Sequence, residues 1–195
     1  MQTHRVAAAG ITNADALVVV DVQRALVEGP HAVSDATALL ARLAVALTAA
    51  RAAGVPVIHL QDDGADPRSP IPYGSAGWQL ALSVVEAEPV IGKSTDDGFV
   101  GTDLGPLLER SGVARPCLVG IQSEMCVAAT ARGAMARGLT VVLPRDAHTT
   151  YHVPADGGAP AVPADQVSRV AEWSLGHAVV APDRVADVAF VRRRA

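Results

Sequence analysis

The sequence predicts an α/β fold in which a mainly parallel sheet is covered on both faces by helices. Two patterns carry that prediction. Unbroken apolar runs such as Ala16–Val20 and Pro116–Ile121 read as strands buried on both faces. Between such runs lie longer stretches, the first of them rich in alanine and leucine, opened by Ser or Thr and in two cases closed by Gly, which read as helices. A third observation sets the scale. The 195 residues are 50% hydrophobic, with a mean hydropathy of +0.27, enough for one domain with a sizeable core. Aromatic residues make up only 3%, so that core is built from Ala, Val and Leu.

In chain order, residues 1–14 are small and polar and read as a loose arm, with a single domain over 15–195. Ala16–Val20 is the first strand and ends at Asp21, followed by Val22 and Gln23. A carboxylate at the end of a buried strand needs a partner, because unpaired buried charge is costly; the plainer alternative is an Asp that caps a turn. Gly29 and Pro30 break the chain, Ser34 caps a helix running to Gly54, and residues 55–60 form the next strand. Residues 61–77 are rich in Gly, Pro, Asp and Ser and predict a long loop, with Trp78 behind it. A short strand over 88–92 leads into Lys93, and Thr102 caps a helix reaching Ser111. After Pro116–Ile121, Gly120 permits a tight turn, Ser123 caps a helix and Gly138 closes it. Residues 139–143 predict a strand, 148–163 a second long loop, 164–175 a helix and 177–181 a last strand. No internal repeat is evident.

Composition narrows the partners. A net charge of -4 gives no basic footprint for nucleic acid, and Arg192 to Arg194 reads as a solvated end. Two cysteines at unrelated positions form neither a disulfide framework nor a zinc-finger spacing. No run approaches the roughly 18 apolar residues of a membrane span, and the first residues lack the pattern of a signal peptide. A cytoplasmic protein acting on a small molecule is expected.

Ligands of such folds bind outside the carboxyl ends of the strands. Asp21, Lys93 and Cys126 all fall at or just after predicted strand ends. Cys126 lies in the first turn of its helix, where unpaired N–H groups and the helix dipole favour a thiolate and can hold an oxyanion. Taken alone, it reads equally well as a small buried core residue. Together, the three residues suggest acyl transfer. Asp21 accepts the thiol proton and returns it to a leaving group, Lys93 lowers the thiol pKa and holds the carboxylate, and backbone N–H groups of Gln122 and Cys126 stabilise a tetrahedral oxyanion.

Three segments, LVVVDVQ around Asp21, GKSTDDGFVGTDL around Lys93 and LVGIQSEMCVAATARGA around Cys126, occur in the order seen in the isochorismatase-like cysteine hydrolases, which include nicotinamidases and N-carbamoylsarcosine amidohydrolase. The pieces VPVIHLQDDG and VVLPRDAHTT are also similar to that family. The resemblance implies a three-layer sandwich with a six-stranded sheet, an Asp21–Lys93–Cys126 triad, a cis peptide between Ile121 and Gln122, and a homodimer or homotetramer. This sequence departs from the family in having Ser123-Glu124 where Thr-Asp is frequent. It also lacks the histidines with which nicotinamidases bind a metal. The loop offers Asp62, Asp63 and Asp66 but no histidine after His59, so no metal or other cofactor is expected.

Gln23, Trp78, Phe99, Ser123 and Tyr151 are candidates for the substrate pocket, each with an alternative as packing or loop structure. His148 and His152 are not assigned to catalysis. The expected activity is hydrolysis of an amide, carbamoyl or ureido C–N bond through a Cys126 thioester. One alternative is a vinyl-ether hydrolase in which Asp21 protonates the substrate; another is a binding protein without turnover. Cys117, in a strand and facing the core, offers Cys126 no resolving partner for redox chemistry.

Overall fold

A computed structural model describes residues 12–64 and 68–192. Five parallel strands form the central sheet: β2 (Ala16–Val20), β3 (Val57–Asp62), β4 (Val90–Lys93), β5 (Pro116–Ile121) and β6 (His148–Thr149), in the order β4-β3-β2-β5-β6. Its helices are α1 (Arg24–Val27), α2 (Ala36–Ala52), α3 (Leu104–Arg110), α4 (Ala128–Ala136) and α5 (Ala164–Ser174). A separate two-stranded parallel sheet pairs β1 (Thr12–Ala14) with β7 (Val188–Phe190).

Strand periodicity divides the core into two layers. Leu17 and Val19 of β2 face Leu39, Leu43 and Leu47 of α2, while Val18 and Val20 face the layer holding Leu104, Leu108, Val127 and Ala131. One strand therefore feeds both cores, and each fully buried Val or Leu contributes about 1.5–3 kcal/mol relative to exposure. Gly120 lies within β5 and does not form the tight turn expected of it. A Cβ there would sit 2.1 Å from Val20 O, and its φ is 126°, so glycine is what lets β5 approach β2.

The expected six-stranded sheet is five-stranded. Residues 139–143 make only isolated bridges, Cys117 to Val142 and Val142 to Val180. Leu118 donates to Val142 O and Val142 to Pro116 O, both at 2.9 Å, but Pro144 has no N–H to extend the ladder. Pairing resumes at β6, opposite Gly120 and Ile121. The expected last strand is a 3₁₀ turn, Gly176–Ala178, with Val180 alone bridging.

The loose arm is corrected at its end, because residues 12–14 form β1; residues 1–11 lie outside the described set, as do Asp66 and the last three residues. Helix boundaries at 34, 102 and 123 also shift. Asp35, in left-handed conformation at φ 61°, occupies the N-cap of α2 in place of Ser34. Asp103 does so for α3, with Thr102 Oγ1 accepting from the Leu104 N–H. Gly138, at φ 78°, ends α4 as expected.

Candidate active site

All the central strands run the same way, so their carboxyl ends share one edge. Asp21 follows β2, Asp62 ends β3, Lys93 ends β4, and Cys126 lies just beyond β5. Asp21 turns the chain with a φ of 50°, a costly conformation for a residue with a Cβ. Its N–H bonds Leu60 O at 3.1 Å and its carbonyl accepts from Gln23 at 2.9 Å, which holds it there.

The three reactive groups meet. Lys93 Nζ is 2.7 Å from Asp21 Oδ2 and 3.2 Å from Cys126 Sγ, and it also donates to Thr95 O at 3.2 Å. Asp21 and Lys93 are 3% and 2% exposed, so the pair is desolvated. Asp21 Oδ1 is buried without a hydrogen-bond partner, and the Cys126 thiol is its neighbour. Burial raises the Asp21 carboxyl against the opposing pull of the Lys93 ammonium. Burial alone would lower Lys93, but Asp21 and Cys126 outweigh it and hold the ammonium above its ordinary range.

The thiol departs from expectation. Burial is the largest effect on Cys126 and raises its pKa; the Asp21 carboxylate adds to the rise and Lys93 only opposes it. Burial thus favours the protonated thiol, with an acceptor and an ammonium already beside it. Nor does Cys126 sit in a regular first turn. Ser123–Val127 is a π-type turn in which the Met125 and Val127 N–H groups both donate to Gln122 O, at 3.2 and 3.1 Å. Met125 is non-helical (φ -103°, ψ -105°), and α4 begins only at Ala128. The Ile121–Gln122 peptide is cis.

Ser123 does not cap this helix. Its Oγ lies 2.8 Å from His148 Nδ1 and 2.9 Å from Ser168 Oγ, which ties the turn to β6 and α5. Thr150 Oγ1 donates to Glu124 Oε1 at 2.8 Å from the same side. His148 Nε2 lies 3.6 Å from Glu172 Oε1, beyond hydrogen-bond reach, and burial, with a smaller push from Arg145, lowers the imidazole to about 4. It is a neutral strut under the nucleophile turn.

A cavity of about 840 Å³ opens over the sulfur. Asp21, Gln122 and Cys126 line it, as does Tyr151, whose hydroxyl donates to His31 O at 2.6 Å. The other pocket candidates are engaged elsewhere. Gln23 Nε2 donates to Asp62 O and Trp78 O, its Oε1 accepts from the Asp62 N–H, and it is fully buried. Trp78 Nε1 also donates to Asp62 O. Phe99 is packed in the core beneath the Arg137 guanidinium. None of Gln23, Trp78, Phe99 and Ser123 lines the cavity; Gln23 and Trp78 hold the Asp62 backbone, and Ser123 ties the nucleophile turn to His148 and Ser168. Sequence reasoning missed Asp96, whose Oδ1 lies 3.6 Å from Cys126 Sγ, and Asp62, whose Oδ2 lies 3.9 Å from Lys93 Nζ. Asp96 was signalled by its place three residues after Lys93, whereas Asp62 meets Lys93 only through the β3–β4 register.

His59, just upstream of the loop searched for metal ligands, is buried away from the cavity. Its Nε2 is 3.1 Å from Glu88 Oε2, and Glu88 also takes two bonds from Arg51. Burial would raise Glu88, but Arg51, the Val85 N–H and His59 together lower it to about 2. Among the described residues, no group of three or more His, Cys, Asp or Glu is placed to hold a metal ion, and no helix is long and apolar enough to cross a membrane.

Comparison with known proteins places the sequence and the fold in one family. Residues 15–159 match the family model described as "Isochorismatase domain". A streptothricin hydrolase of Streptomyces noursei is 48% identical over 186 residues, covering 94% of this chain and 73% of that protein. The crystal structure of an isochorismatase from Pseudomonas putida KT2440 superposes with a TM-score of 0.76 at 28% identity, covering 89% of this chain and 90% of that one. An N-carbamoylsarcosine amidase from Thermoplasma acidophilum shares the fold, with a TM-score of 0.67 at 23% identity, covering 89% of this chain and 96% of that one.

Proposed function

The chain belongs to the isochorismatase family of hydrolases, and on that premise we propose that it cleaves a C–N bond of a small molecule through a thioester on Cys126. The observation that carries the reading is the meeting of Asp21, Lys93 and Cys126 within 2.7 and 3.2 Å at the floor of an open cavity. The thiol proton passes to Asp21 as Sγ adds to the substrate carbonyl. The oxyanion that forms is held by the backbone N–H groups of Gln122 and Cys126. Asp21 returns the proton to the nitrogen as the C–N bond breaks, leaving the thioester. Water then gives a proton to Asp21 as its oxygen adds to the acyl carbon, and collapse releases the acid while the sulfur regains its proton. Lys93 stays charged throughout, facing first a carboxylate and then the anionic sulfur.

A raised Asp21 pKa suits a group that must take up a proton and give it back. The raised thiol suits a proton transfer to Asp21 that accompanies attack on the carbonyl. Streptothricin, from the relative at 48% identity, is the first substrate to test, followed by small amides and ureido compounds. Hydrolysis by the wild type that is abolished in Cys126→Ala, with the fold retained by circular dichroism, is the expected result. Full turnover in Cys126→Ala refutes the thioester, and consumption of isochorismate by that variant favours the vinyl-ether reaction.

A further inference from the structure

We infer that Ser123 and His148 are positioning residues for Cys126. His148 carries its single ring proton on Nε2, Ser123 gives its hydroxyl proton to Nδ1, and that directed bond holds the nucleophile turn in place. This deepens the hydrolase reading and rests on it for its kinetic consequence. Ser123, His148 and Ser168 are all buried, and their side chains join in one row: Ser168 Oγ is 2.9 Å from Ser123 Oγ, which is 2.8 Å from His148 Nδ1. Each bond, taken singly, could run either way. The far end of the row decides. Burial, with a smaller push from Arg145, lowers the imidazole to about 4, so at pH 7 it is neutral and has one proton to place. Its Nε2 is buried without a hydrogen-bond partner and lies 3.6 Å from Glu172 Oε1, on a carboxylate ion-paired with Arg145. An N–H at Nε2 meets that negative charge favourably, whereas a lone pair there would be repelled by it in a site without water. Nδ1 is then an acceptor and Ser123 must donate to it. With its one proton spent, Ser123 accepts from Ser168.

What the bond holds is the turn itself. Ser123 directly follows Gln122, whose N–H the mechanism assigns to the oxyanion, and stands three residues before the sulfur. A regular helical ladder does not fix this segment, because Met125 is non-helical and the Met125 and Val127 N–H groups share Gln122 O. Side-chain bonds from β6 and α5 supply the constraint instead. Thr150 adds a second tie through Glu124, but Glu124 is exposed, so the buried Ser123–His148 bond is the stiffer of the two. Ser123, His148 and Ser168 do not line the cavity. A change in any of them therefore reaches the substrate only through the placement of Cys126 and the Gln122 N–H. Displacing reacting atoms by about 1 Å costs on the order of 10²-fold in rate.

Nitrogen NMR of isotope-labelled histidine at pH 7 reads the tautomer, with His148 assigned by the loss of its signals in His148→Gln. The wild type is expected to show a protonated Nε2 and an unprotonated Nδ1. The Nδ1 signal should move downfield in Ser123→Ala and return in Ser123→Thr, which keeps the hydroxyl. With streptothricin or a small amide as substrate, Ser123→Ala is expected to lower kcat about tenfold or more while KM stays within about twofold. Ser123→Thr should restore kcat to within about threefold, and Ser168→Ala, which removes only the outer donor, should lower it by about twofold to fivefold. Alkylation of Cys126 by iodoacetamide, located by peptide mass, reads the turn without a substrate. Its rate should fall about threefold or more in Ser123→Ala, as the sulfur loses its alignment with Asp21 and Lys93, and recover in Ser123→Thr. Circular dichroism checks each fold; if Ser123→Ala does not fold, the wild-type tautomer and Ser168→Ala decide. A proton on Nδ1, a kcat or alkylation rate unchanged in Ser123→Ala, a loss confined to KM, or no rescue by threonine overturns the inference. The expected tautomer and alkylation rates without turnover of any C–N substrate mean that the hydrolase reading fails alone. C–N turnover with kcat unchanged in Ser123→Ala means that the positioning inference fails alone.

Discussion

Breaking the Lys93–Asp21 pair gives a prediction whose size follows from the coordinates. At 2.7 Å and an effective dielectric constant of about 20, the attraction is about 6 kcal/mol, set against the cost of desolvating both groups. Removing one partner leaves the other as an unpaired buried charge, at a cost of about 3–5 kcal/mol. Asp21→Asn belongs at the lower end, because the ammonium keeps Asp62 at 3.9 Å and the Thr95 carbonyl. Lys93→Met belongs at the upper end, because Asp21 already has one oxygen without a partner. The double variant removes both charges and should lose at least about 2 kcal/mol less than the sum of the singles. Urea unfolding at pH 7, followed by circular dichroism and tryptophan fluorescence, measures all four proteins. In the wild type, the raised Lys93 pKa contributes stability that is fully present below the ordinary lysine value of 10.5 and is lost only as pH rises through the higher folded value. Losses that add to within about 0.5 kcal/mol would refute the claim that these groups form one desolvated pair.

Two further predictions concern the supports of the nucleophile turn and the neighbouring loop. His148 has a folded pKa of about 4 against 6.5 unfolded, so its contribution is present above 6.5 and is lost as pH falls towards 4. The stability of the wild type relative to His148→Gln should therefore fall by about 3 kcal/mol across that window; urea unfolding at pH 7 and pH 4 checks this, and a constant difference contradicts it. A Cβ at Gly133 would lie 2.4 Å from Asp97 Oδ1, which accepts from the Phe99 N–H at 2.9 Å in the loop that carries Asp96. Gly133→Ala is expected to cost about 1–3 kcal/mol and to lower kcat, and unchanged values of both would show that the loop adapts freely.

Much of the frame was legible because one residue type settled each feature. The runs of β2 and β5 are apolar at every position, which only a strand covered on both faces allows. Asp21 is polar where such a run should continue, and its partner had to come from elsewhere in the chain. What was not legible depends on pairings that leave no local mark. β1 and β7 are three residues each, too short for periodicity, and meet from opposite ends of the chain. Pro144 was visible, but not that it would divide one strand into a bridge and β6. Gln23 and Trp78 have polar ends that suit a ligand, yet both bond the Asp62 backbone. Burial, which only the packed fold supplies, opposes the helix-end preference for a thiolate and raises the Cys126 thiol.

The bond between sulfur and acyl group is the point on which the whole mechanism depends. Wild-type protein quenched in acid during turnover should gain the mass of the acyl fragment, located by peptide mapping on Cys126 and absent from Cys126→Ala. Steady hydrolysis by Cys126→Ala with no adduct on either protein would contradict the account.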